Sequence, residues 1–191
     1  MEKKKSVTRK KGIMNTKKTA TFKLGENGLD LDIKDAWHKV DGTPILDLEK
    51  YIRDYINSVD KYSVLQLLVG TDGLAHSITK NNKIIKLVTV ICFYTVGKGA
   101  HVIKRRENKS FDRFVPTNEK LRMEVNKTYE LSMYLKDIGI TPIIHLDLNP
   151  DPTFGSSTVY EEVKGWFEAL GFVTEYKSNA VGASYAADYY I

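Results

Sequence analysis

Apolar residues recur along this chain with two distinct periods. Ile45, Leu48, Tyr51, Ile52, Tyr55 and Ile56 stand three or four apart, the spacing of one helix face. Thr43-Pro44 before them reads as an N-cap with proline at the first helical position, and the helix is expected to end near Ser58. Val64–Thr71 is apolar on both faces apart from Gln66, as in a central strand covered on both sides. Ile84–Val96 is a longer β-branched run. "GKGA" at 97–100 supplies turn residues, and His101–Arg106 returns as a third strand, giving a meander.

The second half alternates helix and strand. Thr117 or Asn118 is a cap candidate, Leu121, Val125, Thr128, Leu131 and Leu135 line one helix face, and Gly139 is the stop. Thr141–Leu148 is a short strand. Ser156–Leu170 is expected as one long helix, capped by the serines or by Thr158 with Glu161 three on, and stopped by Gly171. Phe172–Tyr176 is a fifth strand, and "NAVGASYAADYYI" closes the chain as a small-residue helix. The order predicts an α/β fold: a five-stranded mixed sheet, built from a three-strand meander and two helix crossovers, with helices on both faces.

Composition divides the chain unevenly. Its 191 residues and 42% hydrophobic content suit one domain with a real core. Residues 1–23 carry nine Lys/Arg against one acid, which leaves 20 basic and 23 acidic side chains for the rest. The positive net charge therefore describes a tail and not the body. The expected organisation is a basic, disordered tail over 1–24, an N-terminal extension and helix over 25–60, and a folded domain over 61–191. Such a tail either attracts phosphate or is simply solvated, and Met14 offers a second start. The single cysteine, Cys92 in "VTVICFY", excludes a disulfide framework and fits a reducing, cytoplasmic setting. No run approaches the roughly 18 apolar residues of a membrane span. No Cys/His spacing suggests zinc, and "GLAHSITK" lacks the spacing of a phosphate loop.

Four acids lie in otherwise apolar elements. Asp72 follows the first strand, and Asp147 shares a strand face with Ile143 and His145. Glu124 sits beside Val125 on the apolar side of its helix, and Asp188 lies among alanines in the last helix. Taken singly, each has an ordinary structural use: a turn, a cap, a helix flank, an exposed chain end. Taken together, Asp72 and Asp147 fall at the carboxyl ends of strands expected to be parallel neighbours, where open α/β sheets place their sites. Clustered carboxylates repel one another, and their natural partner is a hard cation such as magnesium or manganese.

In order and spacing, "VGTD" at 69–72, "GKGA" at 97–100, "HLDLN" at 145–149, "STVYEEVKGWFEALGF" from Ser157 and "ASYAADYY" at 183–190 resemble the ribonuclease H superfamily. Within it, they look closest to the YkuK-like group of bacterial and phage proteins. The resemblance covers about residues 45–191. It implies a ribonuclease H-like three-layer fold with Asp72 as the first-strand acid, Glu124 as the helix acid, Asp147 as the fourth-strand acid and Asp188 as the acid of the C-terminal helix. These would bind two Mg or Mn ions that clamp the attacking water and the leaving oxygen of a phosphodiester. One position departs from the pattern: Gly73-Leu74 stand where the family usually has Ser-Gln.

The expected activity is metal-dependent hydrolysis of RNA or an RNA–DNA hybrid, in the cytoplasm of a bacterium or of a phage's host. An accessory nucleic-acid-binding protein that keeps the fold is the alternative, and a junction resolvase the third. His145, on the face of Asp147, is an auxiliary candidate, although a lone strand histidine is more often simply hydrogen-bonded in place. Lys98, Lys104, Arg105 and Arg106 would hold a nucleic-acid backbone, or else belong to a solvated edge. Tyr189 and Tyr190 either stack on bases or pack the last helix.

Overall fold

The two-sided apolar runs become the middle of one sheet. The computed structural model describes residues 32–77, 83–177 and 182–190, so the expected tail over 1–24 lies outside the described residues. The elements are β1 (Trp37–Lys39), β2 (Pro44–Ile45), α1 (Leu48–Ser58), β3 (Leu65–Ser77), β4 (Lys83–Thr95), β5 (Gly99–Phe111), α2 (Thr117–Asp137), β6 (Ile143–Leu146), α3 (Ser157–Val163), α4 (Trp166–Ala169), β7 (Val173–Tyr176) and α5 (Ala183–Tyr190). The sheet order is β2-β1-β5-β4-β3-β6-β7. The meander β3-β4-β5 is antiparallel, whereas β6 and β7 run parallel to β3 and to each other.

The sheet therefore has seven strands, not five. The additional two come from the stretch with no clear period. Trp37–Lys39 and Pro44–Ile45 are too short to show an alternation, yet they add an antiparallel edge beyond β5. Trp37 drives this: it is fully buried, and its indole Nε1 donates to the Ile33 carbonyl at 2.7 Å. Pro44 consequently lies in an edge strand, where its missing N–H costs nothing, and not at a helix start. Asp47 caps α1 instead, its Oδ1 accepting the Lys50 N–H at 2.9 Å.

Further boundaries differ: β5 spans Gly99–Phe111 and not His101–Arg106, and β6 stops at Leu146, so Asp147 lies past the strand and not within it. Strand β3 does not stop at Thr71 but pairs with β4 through Ser77. Pro116 is the N-cap of α2, in the extended conformation that proline favours, with no side-chain capping bond. The expected long helix 156–170 is two short ones, because Gly165 takes a left-handed φ of 83° between them.

Side-chain alternation sorts the core into layers. Leu67 and Val69 of β3, Ile91 and Phe93 of β4, and Ile144 and Leu146 of β6 face α1, α2, α3 and α4. Leu68, Val88, Val90 and Cys92 face the other way, where the described cover is α5, through Ala183 and Ala187. Cys92 is a buried thiol, pushed up to about 11 by desolvation, as expected of a small hydrophobe. Among the described residues, no helix is long and apolar enough to cross a membrane.

Because Trp37 belongs to the main core, Trp37→Ala should cost about 3–5 kcal/mol in chemical denaturation while unfolding remains one transition. A cost below about 1 kcal/mol would mean that β1 is an ornament on the sheet edge.

Candidate active site

Strand β6 is short, and its end exposes the flank of β3. Leu68 pairs with Ile143 and Val69 with Ile144, so the same offset carried forward sets Asp72 level with Asp147, just past the end of β6. Alternation turns both side chains toward α5. That helix approaches very closely: a Cβ on Gly70 would stand 2.9 Å from the His145 carbonyl oxygen and 3.3 Å from Ala183 Cβ. The close contact of Gly70 with the alanine face of α5 brings Asp188 within electrostatic reach of Asp72.

Glu124 arrives from the opposite layer. Helix α2 is registered on β3 by buried hydroxyls: Thr128 Oγ1 meets Thr71 Oγ1 at 3.0 Å, and Thr71 Oγ1 meets Thr89 Oγ1 at 3.1 Å. One turn before Thr128, the Glu124 carboxylate lies against Gly73. A Cβ there would meet Glu124 Oε1 at 2.8 Å and Leu87 Cδ2 at 2.8 Å. The departure at Gly73 thus has a structural consequence: the missing side chain is the room that Glu124 occupies.

Lys120 completes the group. Its Nζ donates to Glu124 Oε1 and to the Gly73 carbonyl, both at 2.6 Å, and lies 4.0 Å from Asp72 Oδ1. Asp72 Oδ1 also accepts the Gly73 N–H at 2.7 Å. The sequence offered a faint signal for Lys120, which stands four residues before Glu124 on one helix face. Nothing in the sequence indicated that it would also reach β3.

The electrostatics tie the four acids together. Burial pushes the Glu124 carboxyl up to about 7; Lys120 opposes this, while the charges of Asp72 and Asp147 add to it. Asp72 is also raised, first by burial; the Gly73 N–H and Lys120 pull it down, and Asp188 and Asp147 push it further up. Asp147 is half-exposed, with Lys177 Nζ at 3.3 Å, and Asp188 is exposed.

His145 serves the framework. It is buried, and its Nδ1 accepts the Ala183 N–H at 3.2 Å, one of the N–H groups at the start of α5 that have no partner within the helix. Its Nε2 lies 3.2 Å from Glu175 Oε2 but is not aligned for a hydrogen bond. Burial lowers its pKa, with Glu175 opposing.

The basic residues are not brought together. Arg105 points into the core and pairs with Glu107 at 3.0 Å. Lys98 sits at the hairpin tip against Ser63 and Asp60. That tip lies level with Leu65, seven residues and roughly 23 Å along β3 from Asp72. Lys104 and Arg106 share the α5 face beside Tyr190: Lys104 lies 4.2 Å from its ring centroid, and Arg106 donates to its carbonyl. Tyr189 is exposed.

These donors suit a hard divalent cation. They are all carboxylate oxygens, and their mutual repulsion is what such a charge relieves. Among the described residues, no three His, Cys, Asp or Glu side chains form a ready metal-binding group. Lys120 supplies positive charge between Asp72 and Glu124.

A family model described as Ribonuclease H-like matches residues 47–191. No curated protein and no solved structure matches the chain.

Gly70→Ala should destabilise by about 1–3 kcal/mol and more than Gly73→Ala, because backbone must yield at Gly70 but only side-chain ends at Gly73. Denaturant titration of both variants checks the ranking; the reverse order would show that Glu124 cannot yield. A raised carboxyl pKa means that the folded chain holds its proton more tightly than the unfolded one. Metal-free stability should therefore fall as pH rises from about 4.5 to 7, by on the order of 3 kcal/mol from Glu124. Glu124→Gln should flatten that decline in melts across the window, and an unchanged slope would place the titration elsewhere.

Proposed function

The chain belongs to the ribonuclease H-like family, and we propose that within it the protein is a divalent-metal-dependent phosphodiesterase acting on RNA or an RNA–DNA hybrid. One observation carries this reading: Asp72 and Glu124 meet across Gly73 and share Lys120, just where β6 ends and the sheet opens. Asp72, Glu124, Asp147 and Asp188 are the residues that would hold magnesium or manganese. Such an ion supplies positive charge and Lewis acidity toward a phosphodiester.

The chain's own groups prepare the rest. The β3–β6 register carried past the end of β6 sets Asp147 beside Asp72, so both would address one phosphate. Gly70 and His145 hold α5 close, which keeps Asp188 near Asp72. Lys104 and Arg106, on the same face, would take the nucleic-acid backbone, and exposed Tyr189 would offer a base a stacking surface. Arg105 and Lys98 have no part in this surface.

A second reading, an accessory protein that binds nucleic acid without cutting it, draws on Lys120. A fixed ammonium beside Asp72 and Glu124 supplies charge where catalysis would use a divalent ion.

Labelled RNA, hybrid and DNA, incubated with magnesium, manganese or a chelator, separate the two. Cleavage of RNA or hybrid that needs the metal, and that falls in Asp72→Asn to the level of the chelated sample, is the expected result. Metal-dependent cleavage at equal rate in Asp72→Asn would remove Asp72 from the chemistry. Binding without cleavage under every condition would favour the accessory role.

A further inference from the structure

We propose that Lys120 is a built-in cation of this site, which holds the inner position between Asp72 and Glu124 and leaves the protein to take one divalent ion, at the outer position beside Asp72 and Asp147. The proposal rests on the reading of these acids as metal-binding.

Lys120 Nζ is surrounded as a small cation would be. Oxygen from the β3 backbone and oxygen from Glu124 both lie at 2.6 Å, and Asp72 Oδ1 faces it at 4.0 Å. An ammonium has three N–H donors and no acceptor; two of them are taken here, and Asp72 adds its charge. Helix preference does not explain the pair, since lysine N-terminal to glutamate is the weaker order at this spacing. The contact across to the Gly73 carbonyl makes it specific.

Residue 73 belongs to the same device. Its bare Cα admits the Glu124 carboxylate, which would otherwise meet a Cβ at 2.8 Å, and its carbonyl receives the ammonium. A divalent ion entering this inner position would meet a like charge and would have to expel Lys120, leaving the Gly73 carbonyl without its donor.

The outer position is different in kind. Asp147 is half-exposed and, by the β3–β6 register carried past the end of β6, lies beside Asp72, and Asp188 is exposed. The cation near it, Lys177, is half-exposed on a mobile four-carbon stem and 3.3 Å from Asp147. A divalent ion displaces such a contact at little cost.

Manganese titration of the full chain, read by calorimetry and by the free-ion electron paramagnetic resonance signal, tests this without any substrate. Wild type should bind one ion, and Lys120→Met should bind a second. Two ions on wild type, or a Lys120→Met titration identical to wild type, overturns the proposal while leaving the metal reading intact. No binding to wild type or to Lys120→Met would sink the metal reading itself, and this assignment with it. Circular dichroism establishes that Lys120→Met folds; should it not, the wild-type stoichiometry still decides.

Discussion

The carboxylate of Glu124 sits against the Cα of Gly73 with almost no water around it, and the neighbourhood is arranged around that burial. A carboxylate loses strongly favourable hydration when a fold covers it, and it then takes up a proton or a counter-charge. Here both responses are present: the pKa rises toward neutrality, and Lys120 reaches across from the preceding turn. The lysine is fixed in turn by the Gly73 carbonyl, which ties helix α2 to strand β3 at the residue after Asp72. The hydroxyl chain through Thr128, Thr71 and Thr89 sets the register that makes this contact possible.

The rest of the fold brings three more acids into the same electrostatic neighbourhood by different routes. The parallel register of β3 and β6 places Asp72 beside Asp147, and the early end of β6 uncovers both. Helix α5 brings Asp188 because Gly70 has no side chain to hold the helix away and because His145 accepts a bond from its first turn. Small residues thus act as spacers on both faces of one strand. Gly70 admits a helix on one side, and Gly73 admits a carboxylate on the other.

Much of this was legible in the sequence, and the failures have physical causes. The meander and the parallel pair followed from period and turn residues, because long apolar runs leave little choice of layer, and the four acids stood out as charges in apolar elements. The N-terminal edge was not legible. Two strands of three and two residues carry no period, and Trp37 announces burial without naming its partner. The break at Gly165 was hidden because the apolar spacing continues across it. Arg105 looked like part of a basic surface stripe, but alternation along β5 turns it inward while Lys104 and Arg106 face out. Gly73 looked like a lost polar contact. Only the packing of α2 shows that the space is filled by Glu124 and that Lys120 completes the arrangement.

The central claim is that the acids around Asp72 hold a divalent ion beside a lysine that does not leave. Anomalous diffraction from crystals grown with manganese measures this directly. The account predicts one strong peak, coordinated by Asp72 with Asp147 or Asp188, and Lys120 still bonded to Glu124 and Gly73. A peak between Asp72 and Glu124 with Lys120 swung away, or no peak at any of these acids, would contradict it.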